Sequence, residues 1–159
     1  MDELTEEEIN NFMGMALEEA ELAKASGEVP IGAVLVDENG QVVARSHNMR
    51  EEENRAASHA EMNVIELANK KLNSWRLLNT RLFVTVEPCL MCSGAIIQSR
   101  IPEVYYGSPD SKFGAVESLY QTLTDPRSNH RVTVHGHIRE DESAEIMQSF
   151  FQTIRDKRK

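Results

Sequence analysis

Two short motifs place an imidazole, a carboxylate and two thiols in one chain of 159 residues. The first is His59-x-Glu61 and the second is Pro88-Cys89-x-x-Cys92, and 26 residues lie between them. A catalytic zinc ion takes three protein ligands and keeps its fourth tetrahedral position open for water. One imidazole and two thiolates meet that count. The sequence therefore predicts one zinc ion per subunit, bound by His59, Cys89 and Cys92.

Glu61 is the candidate catalytic proton carrier of this site. Two thiolates neutralise a dication, so zinc acidifies water less than it would beside three neutral imidazoles, and a nearby base becomes useful. Residues two apart on a helix normally point to different sides, but a zinc ion over the helix end would be within reach of both His59 and Glu61. We therefore predict that Glu61 takes a proton from the attacking water and returns it to a leaving amine. The alternative is a capping box of Ser58 and Glu61, in which the carboxylate only satisfies a backbone N–H.

The two motifs together indicate a type of zinc site more specifically than either motif alone. A C-x-x-C pair alone also occurs in redox and structural zinc sites, and a lone histidine is more often structural. Histidine, glutamate, proline and two cysteines at these intervals form the H-x-E…P-C-x-x-C signature of zinc-dependent nucleobase deaminases. His135 and His137 could share one face of a strand, but they have no third ligand and are assigned no metal.

Length and cysteine usage limit the architecture. The chain is near the usual size for one hydrophobic core, and 40% of it is apolar, so residues 1–159 are predicted to form a single zinc-dependent deaminase domain. Both cysteines belong to the motif, which leaves none for a disulfide and requires reduced thiols, so a cytoplasmic location is expected. The first 20 residues begin with acidic side chains, and no apolar run approaches the length of a membrane span. Neither secretion nor membrane insertion is expected.

The net charge of −9 argues against a general nucleic-acid binder, because affinity for a polyanion depends on lysine and arginine. The charge is concentrated at one end, since residues 1–30 carry −8 and the rest of the chain only −1. The chain ends in Arg155, Lys157, Arg158 and Lys159. This basic tail is interpreted either as an RNA contact or as a solvated helix end, where cations are favourable by themselves.

The hydrophobic pattern predicts an α/β domain. A capping box of Thr5 and Glu8 begins an amphipathic helix that ends at Gly27. The other predicted elements are strands at 31–36 and 41–46 joined by an Asn-Gly turn, a loop at 48–57, a helix at 58–71, a strand at 81–86, a helix beginning at Pro88, a strand at 104–106, a short helix at 117–123, a strand at 131–135 and a helix at 141–155. Crossover connections place helices over parallel strands, so we predict a five-stranded mixed sheet in a three-layer α/β/α arrangement.

Further segments resemble the cytidine deaminase-like superfamily and, within it, the bacterial tRNA-specific adenosine deaminases over nearly the whole chain. The zinc motif is shared across the superfamily, whereas these segments are more specific. They are Glu28–Ala33, Trp75–Leu78, Pro88–Ala95, Ser99–Ile101, Asp110–Lys112 with Gly114 and Ala115, Asn129–Arg131, and Phe150 with Phe151. The chain departs from the commonest pattern at Ser108, Pro109 and Phe113, which affects the expected shape of the loop around Asp110 and not the chemistry.

The resemblance implies hydrolytic deamination of the wobble adenosine in a tRNA anticodon to inosine, with release of ammonia. It also implies a homodimer, and an adenosine that is flipped out of the anticodon stem-loop into the site. Asn48, Asp110 and Asn129 match substrate-binding positions of the family. By residue type alone, Asn48 is typical of a turn, and Asp110 and Asn129 are ordinary loop residues.

Lys112, Phe150 and Arg155 are the candidate contacts with RNA. Lysine and arginine can neutralise phosphates, and an aromatic ring can stack on a base. Each assignment has an alternative, because isolated charges are usually solvated and adjacent aromatic residues on an amphipathic helix usually belong to the core. We expect at least one of Phe150 and Phe151 to be buried.

Two other functions fit the same motif. A deaminase of free guanine, cytosine or a pyrimidine nucleotide would use the same zinc site, and the acidic net charge suits it. A catalytically inert zinc protein that binds RNA or a partner subunit is the second alternative, and the intact Glu61 argues against it. Inosine formation in RNA separates the main hypothesis from the first alternative, and turnover that depends on Glu61 separates it from the second.

Overall fold

The computed structural model describes residues 1–158 of the chain. Its strands are β1 (Gly32–Asp37), β2 (Val42–His47), β3 (Thr80–Val86), β4 (Glu103–Ser108) and β5 (Thr133–His135). They form one sheet in the order β2–β1–β3–β4–β5. Strand β1 is antiparallel to both β2 and β3, whereas β3, β4 and β5 run parallel. The prediction of a five-stranded mixed sheet is confirmed.

Helices cover both faces of this sheet. Within residues 1–158 they are α1 (Glu6–Ala25), α2 (Arg50–Glu53), α3 (Ala60–Leu72), α4 (Leu90–Gln98) and α5 (Glu140–Lys157). Helices α1 and α5 pack on one face, and α3 and α4 pack on the other. The predicted three-layer α/β/α arrangement is confirmed. In the described part of the chain, each helix is too short or too polar to cross a bilayer.

The central strands fill a hydrophobic core on each side of the sheet. On β3, Leu82 and Val84 belong to the core beneath α3 and α4, whereas Phe83 belongs to the core beneath α1 and α5. Strand β1 alternates in the same way, with Leu35 on the first side and Val36 on the second. Successive side chains of a strand point to opposite faces, so a strand covered on both sides is a continuous apolar run.

Two local predictions are wrong for a shared physical reason. Helix α2 lies inside the predicted loop, and residues 117–123 form turns and irregular backbone instead of a short helix. The buried Glu28 carboxylate accepts the backbone N–H groups of Glu51 and Glu52 at the start of α2, at 3.1 and 2.7 Å. The Glu87 carboxylate accepts those of residues 116–118, which wrap around it. Each carboxylate comes from a distant part of the chain, so local patterns did not reveal either contact.

The arrangement of strands creates a crevice at one edge of the sheet. The carboxyl ends of β3 and β4 lie beside the amino end of β1, because β1 runs antiparallel to β3. Ligands of open α/β sheets bind outside the carboxyl ends of parallel strands, where the strand direction or order changes. Pro88 and Cys89 directly follow β3, so the second motif lies at this edge.

Gly32 allows α1 to pack closely on the start of β1. A Cβ atom at this position would lie 2.0 Å from the carbonyl oxygen of Ala16 and 2.6 Å from the amide nitrogen of Ala20. We expect Gly32→Ala to push α1 away from the sheet and to lower the free energy of unfolding by about 1–3 kcal/mol, the usual cost of overpacking. Chemical denaturation measures this change.

Gly94→Ala is the matched control for Gly32→Ala. A Cβ atom at Gly94 meets no other atom within 4 Å, and alanine is favoured over glycine inside a helix such as α4. Its free energy of unfolding should stay the same or rise. An equal loss of stability in both variants would show that close packing at Gly32 is not the cause.

Candidate active site

Two helix starts bring the three candidate metal ligands together. His59 is the N-cap residue of α3, Cys89 is the N-cap residue of α4, and Cys92 lies in the first turn of α4. Neither N-cap side chain bonds to the backbone of its own helix, so both are available to a ligand. The Nδ1 atom of His59 lies 3.6 Å from the Sγ atom of Cys89 and 3.5 Å from that of Cys92.

This donor set fits a tetrahedral zinc ion. Zinc–sulfur bonds of about 2.3 Å and zinc–nitrogen bonds of about 2.0–2.1 Å place two ligand atoms of these kinds about 3.5–3.6 Å apart. Both nitrogen–sulfur separations in the structure agree with that geometry. All three ligand atoms lie within 4.8 Å of one another, and this is the only such cluster in residues 1–158.

The two thiols favour a bound cation. Hydrogen bonding with Cys92 lowers the pKa of the Cys89 thiol to about 4, whereas the same contact, together with burial, raises the pKa of Cys92. Two neighbouring sulfurs cannot both ionise easily, because like charges repel in a buried place. A dication bound to both sulfurs would offset the repulsion between two thiolates. The exposed N–H groups of the helix starts favour the negative charge of the thiolates as well.

Glu61 is buried in the first turn of α3 and lines the same cavity as His59. The hydroxyl of Ser58 bonds to Glu53 and Asn63 and caps no helix, so the structure does not contain the alternative capping box. Burial raises the pKa of the Glu61 carboxyl to about 7. A carboxyl group that titrates near neutral pH can both accept and release a proton.

Glu87 is a second carboxylate in the cavity, and sequence analysis missed it. Its side chain is 3% exposed and accepts the backbone N–H groups of Asp110 and of residues 116–118, at 2.8–3.0 Å. Burial alone would raise its pKa, but these hydrogen bonds outweigh burial and lower it. Environments that push two carboxyl pKa values apart separate their roles. Glu61 is therefore suited to carry a proton, and Glu87 is an ionised anchor for the loop.

The cavity above these groups has a volume of about 650 Å³. Its most deeply buried polar groups are the carboxyl groups of Glu61 and Glu87, and the partly buried His59 and Cys89 line it as well. Its walls are largely apolar and come from Val29, Ile31, Pro109, Phe113, Ala144, Met147 and Phe151. A cavity of this size and composition suits an aromatic ligand with a few polar contacts.

The predicted substrate contacts lie in different places. Asp110 and Lys112 line the cavity, whereas its lining among the described residues includes neither Asn129 nor Arg155. Asn129 is exposed on the connection between β4 and β5, and Arg155 is exposed on α5, where it donates to Gln152. The structure thus brings together two of these four residues.

Asn48 lies directly behind the cavity wall. Its side chain is buried, and its amide group donates to the carbonyl oxygen of Val29, a residue that lines the cavity. Its side-chain oxygen accepts the backbone N–H of Arg50 at 3.3 Å. These are the contacts of a turn-stabilising asparagine. A contact between Asn48 and a base stays a prediction.

The structure distinguishes the two adjacent phenylalanines of α5. Phe150 is 7% exposed, whereas Phe151 is 40% exposed and lines the cavity. Their rings meet edge to face, with centroids 5.3 Å apart and an interplanar angle of 74°. This corrects the assignment of Phe150 as an RNA contact, because Phe150 is packed in the interior. Phe151 is the aromatic residue that a ligand can reach.

Known proteins resemble this chain over nearly all of its length. Residues 7–155 match the MafB19-like deaminase family. The tRNA-specific adenosine deaminase of Streptococcus pyogenes serotype M1 is 52% identical over 153 residues, which are 96% of this chain and 89% of that protein. The tRNA-specific adenosine deaminase of Bacillus subtilis strain 168 is 44% identical over 98% of this chain and 95% of that protein.

A solved structure also has this fold. It comes from studies of A-to-I editing by tRNA:A34 deaminases at the wobble position of transfer RNA, and it superposes with a TM-score of 0.82. The two sequences are 47% identical, and the match covers 86% of this chain and 98% of that chain. The chain therefore belongs to the tRNA-specific adenosine deaminase family of MafB19-like deaminases and has the cytidine deaminase-like fold.

Proposed function

We propose that this protein hydrolyses the wobble adenosine of a tRNA anticodon to inosine and releases ammonia. The observation that carries this proposal is a His-Cys-Cys cluster of which two members, His59 and Cys89, line the same cavity as the buried carboxyl group of Glu61. Relatives that are 52% and 44% identical are named tRNA-specific adenosine deaminases, which supports adenosine in tRNA as the substrate.

His59, Cys89 and Cys92 would hold one zinc ion per subunit. Zinc, when bound, would supply Lewis-acid activation of water. The protein's part is to fix the three donors on two helix starts, so that little reorganisation is needed. Because the thiolates must stay reduced, we place the enzyme in the cytoplasm.

Glu61 would move the proton that the reaction needs. Its carboxylate accepts a proton from water as the water oxygen bonds to C6 of adenine. The protonated carboxyl group then donates this proton to the exocyclic nitrogen, and the C–N bond breaks to release ammonia. The remaining O–H proton on C6 moves to N1, which leaves the keto base. Burial supports this role because it brings the pKa of Glu61 to about 7, where neither transfer is strongly uphill.

The shape of the cavity favours a base that belongs to a larger molecule. Buried polar groups and exposed residues line the same cavity, since Glu61 and Glu87 are buried whereas Lys112, Phe113 and Phe151 are exposed. An adenosine flipped out of an anticodon loop would occupy the buried part, while neighbouring nucleotides would remain at the exposed part. Lys112 is exposed and lines the cavity, which supports a contact with a phosphate, and Asp110 lines the cavity as well. Contacts by Asn48, Asn129 and Arg155 remain proposals from the sequence.

The substrate proposal is tested with an anticodon stem-loop that carries adenosine at the wobble position. Zinc-loaded protein should form inosine and ammonia in this RNA, with little turnover of free adenosine, cytidine or guanine. The matched control RNA has the same length and carries its only adenosine in the paired stem, where the base is not available for flipping. Digestion of the RNA and mass spectrometry of its nucleosides measure inosine. Ammonia release from free guanine or cytosine, but not from either RNA, would favour a small-substrate deaminase instead.

The role of Glu61 is tested with Glu61→Ala and Glu61→Gln. We expect both variants to retain zinc and to lose at least about 100-fold in kcat, because proton transfer by a positioned side chain contributes about that much or more. Elemental analysis and inosine formation measure the two properties, and Cys92→Ala is the contrasting variant that should lose zinc. If native protein and Glu61→Ala were equally inactive toward RNA and free bases, the protein would be an inert zinc protein.

We propose a homodimer that uses the exposed face of α4. Leu90 and Met91 are exposed large apolar residues on this helix, and Gly94 is exposed one turn further along. Exposed apolar surface beside an active site is typical of an interface. These positions share one side of the helix, because residues three and four apart are neighbours.

The oligomeric state is tested by analytical ultracentrifugation of native protein, Gly94→Arg and Gly94→Ala. We expect native protein and Gly94→Ala to sediment as dimers, and Gly94→Arg to sediment as a monomer because its side chain would separate the two faces. A monomeric native protein would contradict the homodimer. A dimeric Gly94→Arg would place the interface on another surface.

A further inference from the structure

Phe113 has the highest exposure, at 67%, among the exposed large hydrophobic side chains of residues 1–158. Single exposed hydrophobic residues are ordinary on protein surfaces. This one differs because Phe113 lines the cavity that His59 and Glu61 also line. An apolar ring is therefore presented to whatever enters the candidate active site.

The backbone on both sides of Phe113 is held by hydrogen bonds to the buried carboxylate of Glu87. Glu87 accepts the backbone N–H of Asp110 on one side of Phe113 and those of residues 116–118 on the other. The Asp110 carboxylate accepts the N–H of Phe113 itself at 3.2 Å. At Gly114 a Cβ atom would lie 2.3 Å from the Glu87 carboxyl group, so glycine lets the loop lie directly on that carboxylate. The ring of Phe113 is thus carried by an anchored backbone.

A second aromatic ring lines the same cavity from another element. Phe151 lies on α5, and its ring packs edge to face against the buried ring of Phe150. Its position is therefore set by a residue of the core. Pro109 and Met147 add apolar surface to the same lining.

The exposed rings of Phe113 and Phe151 favour a ligand with an apolar face. The carboxyl group of Glu61, which would act on the target base, is buried, whereas Phe113 and Phe151 line the same cavity and are exposed, so these rings are left for another part of the substrate. The flat faces of nucleobases are the apolar surfaces that an RNA loop offers, and stacking on an aromatic side chain strengthens binding by about 10- to 100-fold per base. We propose that Phe113 stacks on the base of a nucleotide next to the deaminated adenosine, with Phe151 bounding the cavity near it.

This inference rests on the proposed function, because it names a further contact with the same RNA. It is tested by combining protein variants with RNA that lacks one base. Three stem-loops are compared: the intact loop with a wobble adenosine, and two loops in which the nucleotide on the 5′ or the 3′ side of that adenosine is abasic. We expect Phe113→Ala to raise KM about 10-fold or more on the intact loop, with kcat changed less than about 2-fold. On one abasic loop the substitution should have no further effect, because the base that it contacts is missing.

Two substitutions of the same residue separate stacking from simple apolar contact. Phe113→Tyr keeps an aromatic face and should keep the native KM, whereas Phe113→Leu keeps an apolar side chain without a ring and should behave like Phe113→Ala. Tyr120→Ala is the matched control, because Tyr120 is another exposed aromatic residue on the connection between β4 and β5, and it lies outside the described cavity lining. Its effect on KM should be the same with all three loops. Zinc content and thermal unfolding of every variant are measured in parallel.

Two results would overturn the stacking contact. One is an equal effect of Phe113→Ala on the intact loop and on both abasic loops, and the other is a native KM for Phe113→Leu. Both leave inosine formation by the native protein intact, so they concern Phe113 alone. Absence of inosine when the native protein acts on the intact loop would overturn the proposed function and the stacking contact together.

Discussion

The starts of α3 and α4 face each other at one edge of the sheet, and the rest of the site depends on this arrangement. Each helix places an N-cap side chain, His59 or Cys89, in the space between the helices and does not use it for capping. The free N–H groups at both helix ends favour negative charge, which suits thiolates. The mixed direction of β1, β3 and β4 opens the crevice into which these groups point.

Three carboxylates around this crevice have two different roles because their surroundings differ. Glu61 is buried beside the thiols, which leaves it able to exchange a proton. Glu87 is equally buried but is surrounded by backbone N–H groups, so it stays ionised and fixes the loop that follows β4. Glu28 anchors α2 in the same manner on the other side of β1. One residue type is thus suited to proton exchange in one place and to rigidity in two others, and the environment of each carboxylate sets the difference.

The sequence predicts the features that depend on local patterns. Apolar runs, alternation and turn residues identify all five strands, and the spacing of His59, Glu61, Cys89 and Cys92 identifies the residues that the fold brings together. Helix α2 and the turns near Ser118 could not be predicted, because carboxylates at least 23 residues away hold them. Which of Phe150 and Phe151 on α5 is exposed could not be predicted from the sequence either. It depends on how that helix is rotated against the sheet, and periodicity does not fix such a rotation to within one residue.

The turn between β1 and β2 lies at the opposite end of the sheet from the cavity. Strand β1 begins beside the ligand-bearing end of β3 and runs away from it. The turn closes on itself, since the Asp37 carboxylate accepts the N–H groups of Asn39 and Gln41, both at 2.9 Å. Short polar turns of this kind tolerate inserted polypeptide. A second protein module grafted at Asn39 and Gly40 would therefore leave the mouth of the cavity unobstructed, which makes this hairpin tip a suitable tether point for a fused domain.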